Sequence, residues 1–435
     1  MNTLDMLEKR WRNATRIMFR RELPNLRDYL PWLRELVEPN LIRKSILSGK
    51  EVAYAIKEYA PDSKWISLDE TALVKNEPLD INEIKDLDSL MEAMRERAYY
   101  AGNIVLGNSG NVEKSSNITN SFFMHECSML SDCRYLTNCS TGRTCQDSFG
   151  TYGPGETDFC IRCTQTYRDR RCFELWVSQN CSDCYYSYNI DGCTDCMFCF
   201  NVKNKKNAVG NLELGRSRYA AVRDKLVEDM ANELEQKKRL PSLMSLFGSR
   251  PLSQPRLAVA EEAKPWEGLA GKDAAEEGFG KTTRLLRGRE LKDIDDYRDW
   301  LERHTRRIEK RESAVSGRRI LTVPDAISIL EVPKARTVTT AEALEIGRST
   351  RIGEKDAEKL SLSNAGKLLD ALAFFNVEFS GGNNSNMTEC VTFIDDSDSY
   401  RSSAMVYSKC CGYTFTPGAA SMCSDATQFL IRPSA

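Results

Sequence analysis

Twelve cysteines lie between Cys127 and Cys199, and every gap between neighbours is a multiple of three. Random placement would put all twelve in one phase roughly once in 200,000 trials, so the spacing has a structural cause. Other positions of that phase hold small or aliphatic residues, among them Val112, Ile118, Met124, Leu130, Ser148, Leu175, Ser187, Ile190 and Val202. The two remaining phases carry Asn, Asp, Arg and aromatic side chains. An inward period of three is neither helical nor that of a plain strand. It predicts a narrow β-solenoid, in which short extended segments alternate with corners and one residue per triplet faces inward.

Rows of twelve show the expected coil: CIRCTQTYRDRR from 160, CFELWVSQNCSD from 172, CYYSYNIDGCTD from 184 and CMFCFNVKNKKN from 196. The first column is four cysteines, the second Ile161, Phe173, Tyr185 and Met197, and the fifth includes Trp176, Tyr188 and Phe200. Such columns would be ladders stacked at about 4.8 Å. Asn180, Asp183, Asn189 and Asp195, each just before an inward position, suit corners that need left-handed backbone. Eighteen residues per coil is the alternative, because Cys127, Cys145, Cys163, Cys181 and Cys199 are spaced by that number.

Cys181, Cys184, Cys193, Cys196 and Cys199 also have the two-residue spacings of a zinc or iron–sulfur site. Chelation does not require one phase shared over more than seventy residues. The solenoid interior is therefore the first reading of these thiols, and zinc or iron–sulfur binding the alternative.

The chain is written twice. At a shift of 263, residues 124–165 align without a gap on 387–428, with identities that include Met124/Met387, Glu126/Glu389, Cys127/Cys390, Pro154/Pro417 and Cys160/Cys423. Upstream, RELPNLRDYLPWLREL (21–36) parallels RELKDIDDYRDWLERH (289–304) at a shift of 268. In the second copy Ser402, Ser408 and Asp396 stand where the first has Cys139, Cys145 and Cys133, an exchange that an interior tolerates and a ligand shell does not.

The expected fold class is α+β, a tandem duplication of a small helical head followed by a cysteine-rich β-solenoid. The first head spans 1–100, with helices at 3–20, 26–37 and 83–99; its solenoid spans 101–213, and a capping helix 214–241. A linker or extended arm covers 242–288, on the strength of its prolines and glycines. The second head spans 289–374, with a helix at 293–312 and another capped by Ser363, and the second solenoid covers 375–435 with no capping helix after it. The stretch CTDCMFCFNVKNKKNAVGN (193–211) resembles the uncharacterised cysteine-rich triplet-repeat proteins of prokaryotic and viral genomes, a resemblance that covers about residues 120–215 and implies no activity. In coil size the segment is similar to insect antifreeze solenoids, but it lacks their external Thr-x-Thr columns, so ice binding is not implied.

No motif for phosphate or dinucleotide binding is present. His125-Glu126-Cys127 is not read as a nucleophile–base pair, because Thr388 replaces the histidine in the second copy and neighbours in a strand face opposite ways. The expectation is a non-enzymatic structural protein that assembles with itself into a shell, virion or filament. Candidate interface residues are Met422, Phe429, Leu430 and Ile431 at the uncovered last coil, and Leu243, Leu246 and Phe247 in the arm. Nucleic-acid or partner binding is the second class. Residues 1–50 hold eleven Lys/Arg against six Asp/Glu, with Trp11, Phe19 and Trp32 among them, and basic and aromatic side chains together grip single strands. A net charge of −2 argues against a protein that coats nucleic acid. The first residues show no apolar export segment and no run is long enough to span a bilayer. The expected location is the cytoplasm, or a virion if the gene is viral, with no membrane partner.

Overall fold

The computed structural model describes residues 2–60, 62–75, 78–80, 84–252, 269–323, 332–418 and 427–430. The protein is α+β and divides into two compact units. The first comprises Met1–Cys199, Lys203–Leu243 and Ala357–Leu362; the second comprises Phe200–Val202, Met244–Asp356 and Ser363–Ala435. In chain order the helices are α1 (Thr3–Phe19), α2 (Leu26–Leu33), α3 (Leu87–Arg97), α4 (Arg216–Lys237), α5 (Ala270–Arg287), α6 (Arg298–Leu301), α7 (Thr340–Ser349), α8 (Glu354–Lys359) and α9 (Leu362–Leu368).

The triplet period has a backbone cause. From Asn111 to Gly210 every third residue is left-handed, with φ between 47° and 66°, and the pattern returns from Asn386 to Tyr413. Asn and Asp accept this conformation readily, but Phe123, Met129, Thr141 and Val177 adopt it too. For such residues it costs about 1–2 kcal/mol each, so the strand pairing on either side must hold them there. The residue after each left-handed one turns inward, which is why the cysteines share a phase.

Short strands, most of four residues and two of ten (Arg170–Gln179 and Ser182–Asp191), pair in parallel with strands twelve residues on: Phe122 with Arg134, Ser128 with Ser140, Cys160 with Cys172 and Cys184 with Cys196. The second tract repeats this with Ser385 on Ser397, Val391 on Ser403 and Phe415 on Thr427. At the two entrances the offset is thirteen, Val105 on Ile118 and Ser380 on Phe393. An offset of eighteen does not occur among the described pairs. The first ladder finishes with an antiparallel pairing of Ala208 on Glu213, and α4 lies against strand Lys206–Val209 and α1.

Helix α1 is capped by Asn2, whose side chain accepts from Asp5 N at 2.8 Å. It buries Leu7, Trp11 and Phe19 on one aromatic column of the ladder: the Trp11 ring lies 5.2 Å from Phe149 and that of Phe19 lies 5.1 Å from Phe173. After α2, each head has an antiparallel hairpin that the sequence reading missed, Leu41–Lys44 with Glu51–Tyr54 and Glu309–Glu312 with Arg319–Thr322.

Several expected boundaries are corrected. The supposed arm contains the eighteen-residue helix α5, which corresponds to α1 at the 268 shift. Glu8 accepts from Leu26 N at 2.6 Å, and Glu276 from Ile294 N at 2.8 Å. Thr15 accepts from Leu23 N at 3.1 Å, and Thr283 from Leu291 N at 3.0 Å. The second head therefore begins near Ala270 rather than at 289. Its face toward the strands carries Gly271 and Ala275 where α1 has Thr3 and Leu7, and a Cβ on Gly271 would run into the backbone of Asn386 and Ser399. Close approach replaces large apolar side chains there, so the apolar period was weak. The expected helix at 293–312 is a 3-10 turn, α6, a second 3-10 turn and then the strand Glu309–Glu312. Helix α9 starts at Leu362, which places Ser363 in its first turn instead of at the cap.

Candidate functional site

Cys181, Cys184, Cys193, Cys196 and Cys199 are all at most 1% exposed. Each thiol sits at a corner, over the carbonyl two residues back. Cys184 Sγ lies 3.2 Å from Ser182 O and 3.6 Å from Cys193 O; Cys196 Sγ lies 3.4 Å from both Thr194 O and Lys205 O. Ser187 occupies a corner in the same way, donating to Tyr185 O at 2.9 Å and accepting from Cys199 N at 3.0 Å. A hydroxyl and a thiol thus do one job: they satisfy a buried carbonyl and often receive the amide of the next repeat. Burial, above all, pushes Cys172 and Cys184 well above the usual thiol range, which disfavours the thiolate that metal binding and nucleophilic attack both need. Cys145 is different: a hydrogen bond with Cys133 lowers it to about 7 and raises its partner. Among the described residues, no group of three or more His, Cys, Asp or Glu is placed to hold a metal ion.

His125 is buried, with Nδ1 3.3 Å from Thr137 Oγ1. The Cys127 thiol turns to the carbonyls of His125 and Leu136. The two side chains do not form a hydrogen-bonded pair.

Trp11, Phe19 and Trp32 are core residues, so the basic–aromatic surface expected of residues 1–50 lacks those three rings. Several of its cations are paired as well: Arg10 with Asp147, Arg12 with Glu8, Arg20 with Asp224 and Arg34 with Glu126. A cleft of about 250 Å³ is lined by Arg34, Asn40, Lys114, Glu126 and Asn138, among others. Its polar groups largely satisfy each other. Asn138 donates to Glu126 at 3.0 Å, and Asn40 Nδ2 to the carbonyls of Lys114 and Cys127, both at 2.9 Å.

Of the expected interface residues, Leu243 is fully buried and Phe247 nearly so, its ring 5.6 Å from Phe200 and 6.2 Å from Phe375. Leu246 is half-buried. Leu243 and Phe247 are taken up by contacts within the chain. Phe429 and Leu430 belong to the strand Thr427–Leu430, paired in parallel with Phe415–Gly418. Met422 and Ile431 lie outside the described residues.

The surface that sequence reasoning missed is on the first head. Helix α3 buries none of its residues. Leu87, Met91 and Met94 are 70%, 58% and 51% exposed, and Leu73 is 69% exposed. Beside them stands a half-buried aromatic group in which Tyr59 packs edge-on against Trp65 at 4.8 Å and Tyr100 at 5.1 Å. The spacing of Leu87, Met91 and Met94 on one helical face was a legible signal.

The structure therefore defines an α+β protein with parallel ladders of twelve-residue register, in which the cysteines form the interior. Comparison with family models, curated proteins and solved structures gives no match for this chain.

Proposed function

We propose that the chain is a non-enzymatic structural protein, built as two tandem twelve-residue β-solenoids with helical heads, which assembles with copies of itself. A shell, virion or filament is the kind of object it would build. The observation that carries this reading is the strand Thr427–Leu430. Among the described residues it is bonded on one side alone, by Phe415–Gly418, whereas the first ladder turns back into an antiparallel strand and is followed by α4. A strand bonded on one side alone offers a row of amides and carbonyls on the other to a further chain. The use of the thiols as interior corners supports a scaffold rather than a metal centre. No helix among the described residues is long and apolar enough to cross a membrane, and the partner in this reading is protein.

The test is the mass and shape of the purified, reduced protein, by light scattering with negative-stain imaging of the same sample. Regular particles heavier than the 49.3 kDa chain are expected. A monomer that persists at high concentration would overturn the proposal.

A further inference from the structure

The two heads share a plan but not a covering. Ser45 Oγ donates to Glu70 at 2.6 Å, and Ser313 Oγ to Glu342 at 2.6 Å. Each glutamate also closes a capping box, with Ser67 and Thr339 respectively. The paired strands that follow match in register: Trp65 faces Tyr100 in the first head, and Thr337 faces Phe375 in the second. Tyr99 and Tyr100 thus correspond to Phe374 and Phe375, and α3 lies in the same insertion as α7, α8 and α9.

In the second head this region is covered. Phe374 and Phe375 are 0% exposed. Asn201 Nδ2 donates to Phe374 O at 2.9 Å, and the Phe200 ring lies 6.3 Å from that of Phe375. Gly347 of α7 has no room for a Cβ, because Asn201 O lies against it, and Gly366 of α9 is closed off in the same way by Leu246 O. The cover is therefore the strand residues Phe200–Val202, helped by Met244–Phe247. In the first head Tyr99 and Tyr100 are only half-buried, and α3 presents its apolar face to solvent.

The strand that does the covering has a counterpart. Thr164 pairs with Trp176 and Trp176 with Tyr188, and Phe200 is the next step of twelve. Thr427 aligns with Thr164 at the 263 shift, so Thr427–Leu430, the last described strand of its ladder, belongs to the same face of the repeat as Phe200–Val202.

We infer that the first head receives the end strand of the second ladder from another copy of this chain, as the second head receives Phe200–Val202. This rests on the assembly reading and specifies its geometry. The contact is head-to-tail and heterologous, and it produces an open filament or a ring rather than an isologous dimer. The occupant is a second copy because the matching face of the same chain already holds a strand of this kind.

The test uses the full chain, wild type and Met91→Glu/Met94→Glu. Both methionines are more than half exposed, so the variant is expected to keep the wild-type melting temperature. Leu73→Lys, on a separate element of the first head, serves as a second variant. Charges placed in an apolar contact should weaken association about tenfold or more. Amine cross-linking of mixed ¹⁴N and ¹⁵N protein should join Lys64 of one molecule to Lys409 of another. If the variants associate as wild type does, or if Lys64–Lys64 links dominate, head-to-tail docking is overturned while self-assembly stands. If wild type stays monomeric at every concentration, both fail.

Discussion

Cys199 donates from Sγ to Met197 O at 3.5 Å and sends its amide to Ser187 Oγ, one repeat earlier. What the corner requires is a small side chain with one donor, which serine also supplies. Cys199→Ser is expected to change stability by no more than about 1 kcal/mol in urea unfolding, and elemental analysis of the wild type should find no stoichiometric zinc or iron. A larger loss together with bound metal would restore the chelation reading. Asp396 shows the opposite case. It takes the place of Cys133, accepts from Ile394 N at 2.8 Å and also from Ser408 N, and burial raises its pKa from 3.8 to about 6. A raised folded pKa stabilises fully below the unfolded value, and that contribution is lost as pH rises through about 6. Stability should fall by about 2 kcal/mol between pH 4 and pH 7 on this account. Asp396→Asn, which copies the neighbouring Asn384, should flatten that part of the profile; equal slopes in the two proteins would remove Asp396 as the cause.

Each element is held by a few contacts that no residue makes alone. The left-handed positions belong to the ladder, and Asn180 (φ 53°) shows their demand. Asn180→Ala should cost about 1 kcal/mol and Asn180→Gly clearly less, since alanine keeps the Cβ but loses the amide that suits that region, whereas glycine has no Cβ to strain. Helix α2 is tied down differently. Arg162 and Glu174 are both fully buried and meet at 2.6 Å; the guanidinium lies 4.7 Å from the Trp32 ring, and Glu174 also accepts from Trp176 Nε1 at 3.1 Å and Leu243 N at 3.0 Å. Arg162→Ala leaves that carboxylate buried without its cation and is expected to destabilise by about 3–5 kcal/mol. Chemical denaturation of the single and double variants checks this, because Arg162→Ala/Glu174→Gln should lose less than the two single changes added together.

For the whole molecule, duplication matters most where it is imperfect. Equivalent hydrogen bonds recur in both heads, yet one head is covered by a strand and the other leaves α3 bare. With one head covered by a strand, the other uncovered among the described residues, and the strand Thr427–Leu430 on the matching face, the proposed contact would make the chain a link in a repeating series. Association should then rise with concentration without a preferred closed dimer, which sedimentation over a range of loading concentrations would detect.

The interior is legible in the sequence alone, because one inward residue per triplet leaves its mark on composition: cysteine, serine and aliphatic residues share a phase, and their columns repeat at twelve. The duplication was legible too, since identities such as Met124/Met387 and Pro154/Pro417 survive without gaps. Helix α5 was not, because glycine and alanine let it approach the strands closely in place of large apolar side chains. Nor were the hairpins, whose exposed outer strands (Leu41–Lys44 and Glu309–Glu312) carry little apolar alternation. Whether Phe247 was an interface or a core residue could not be read from its type; contact with Phe200 and Phe375, far apart in sequence, decided it. Local backbone preference and side-chain period act over a few residues and are written in the chain, whereas the covering of a surface depends on segments brought together from a distance. Only the tertiary structure shows which of the two aromatic faces is closed.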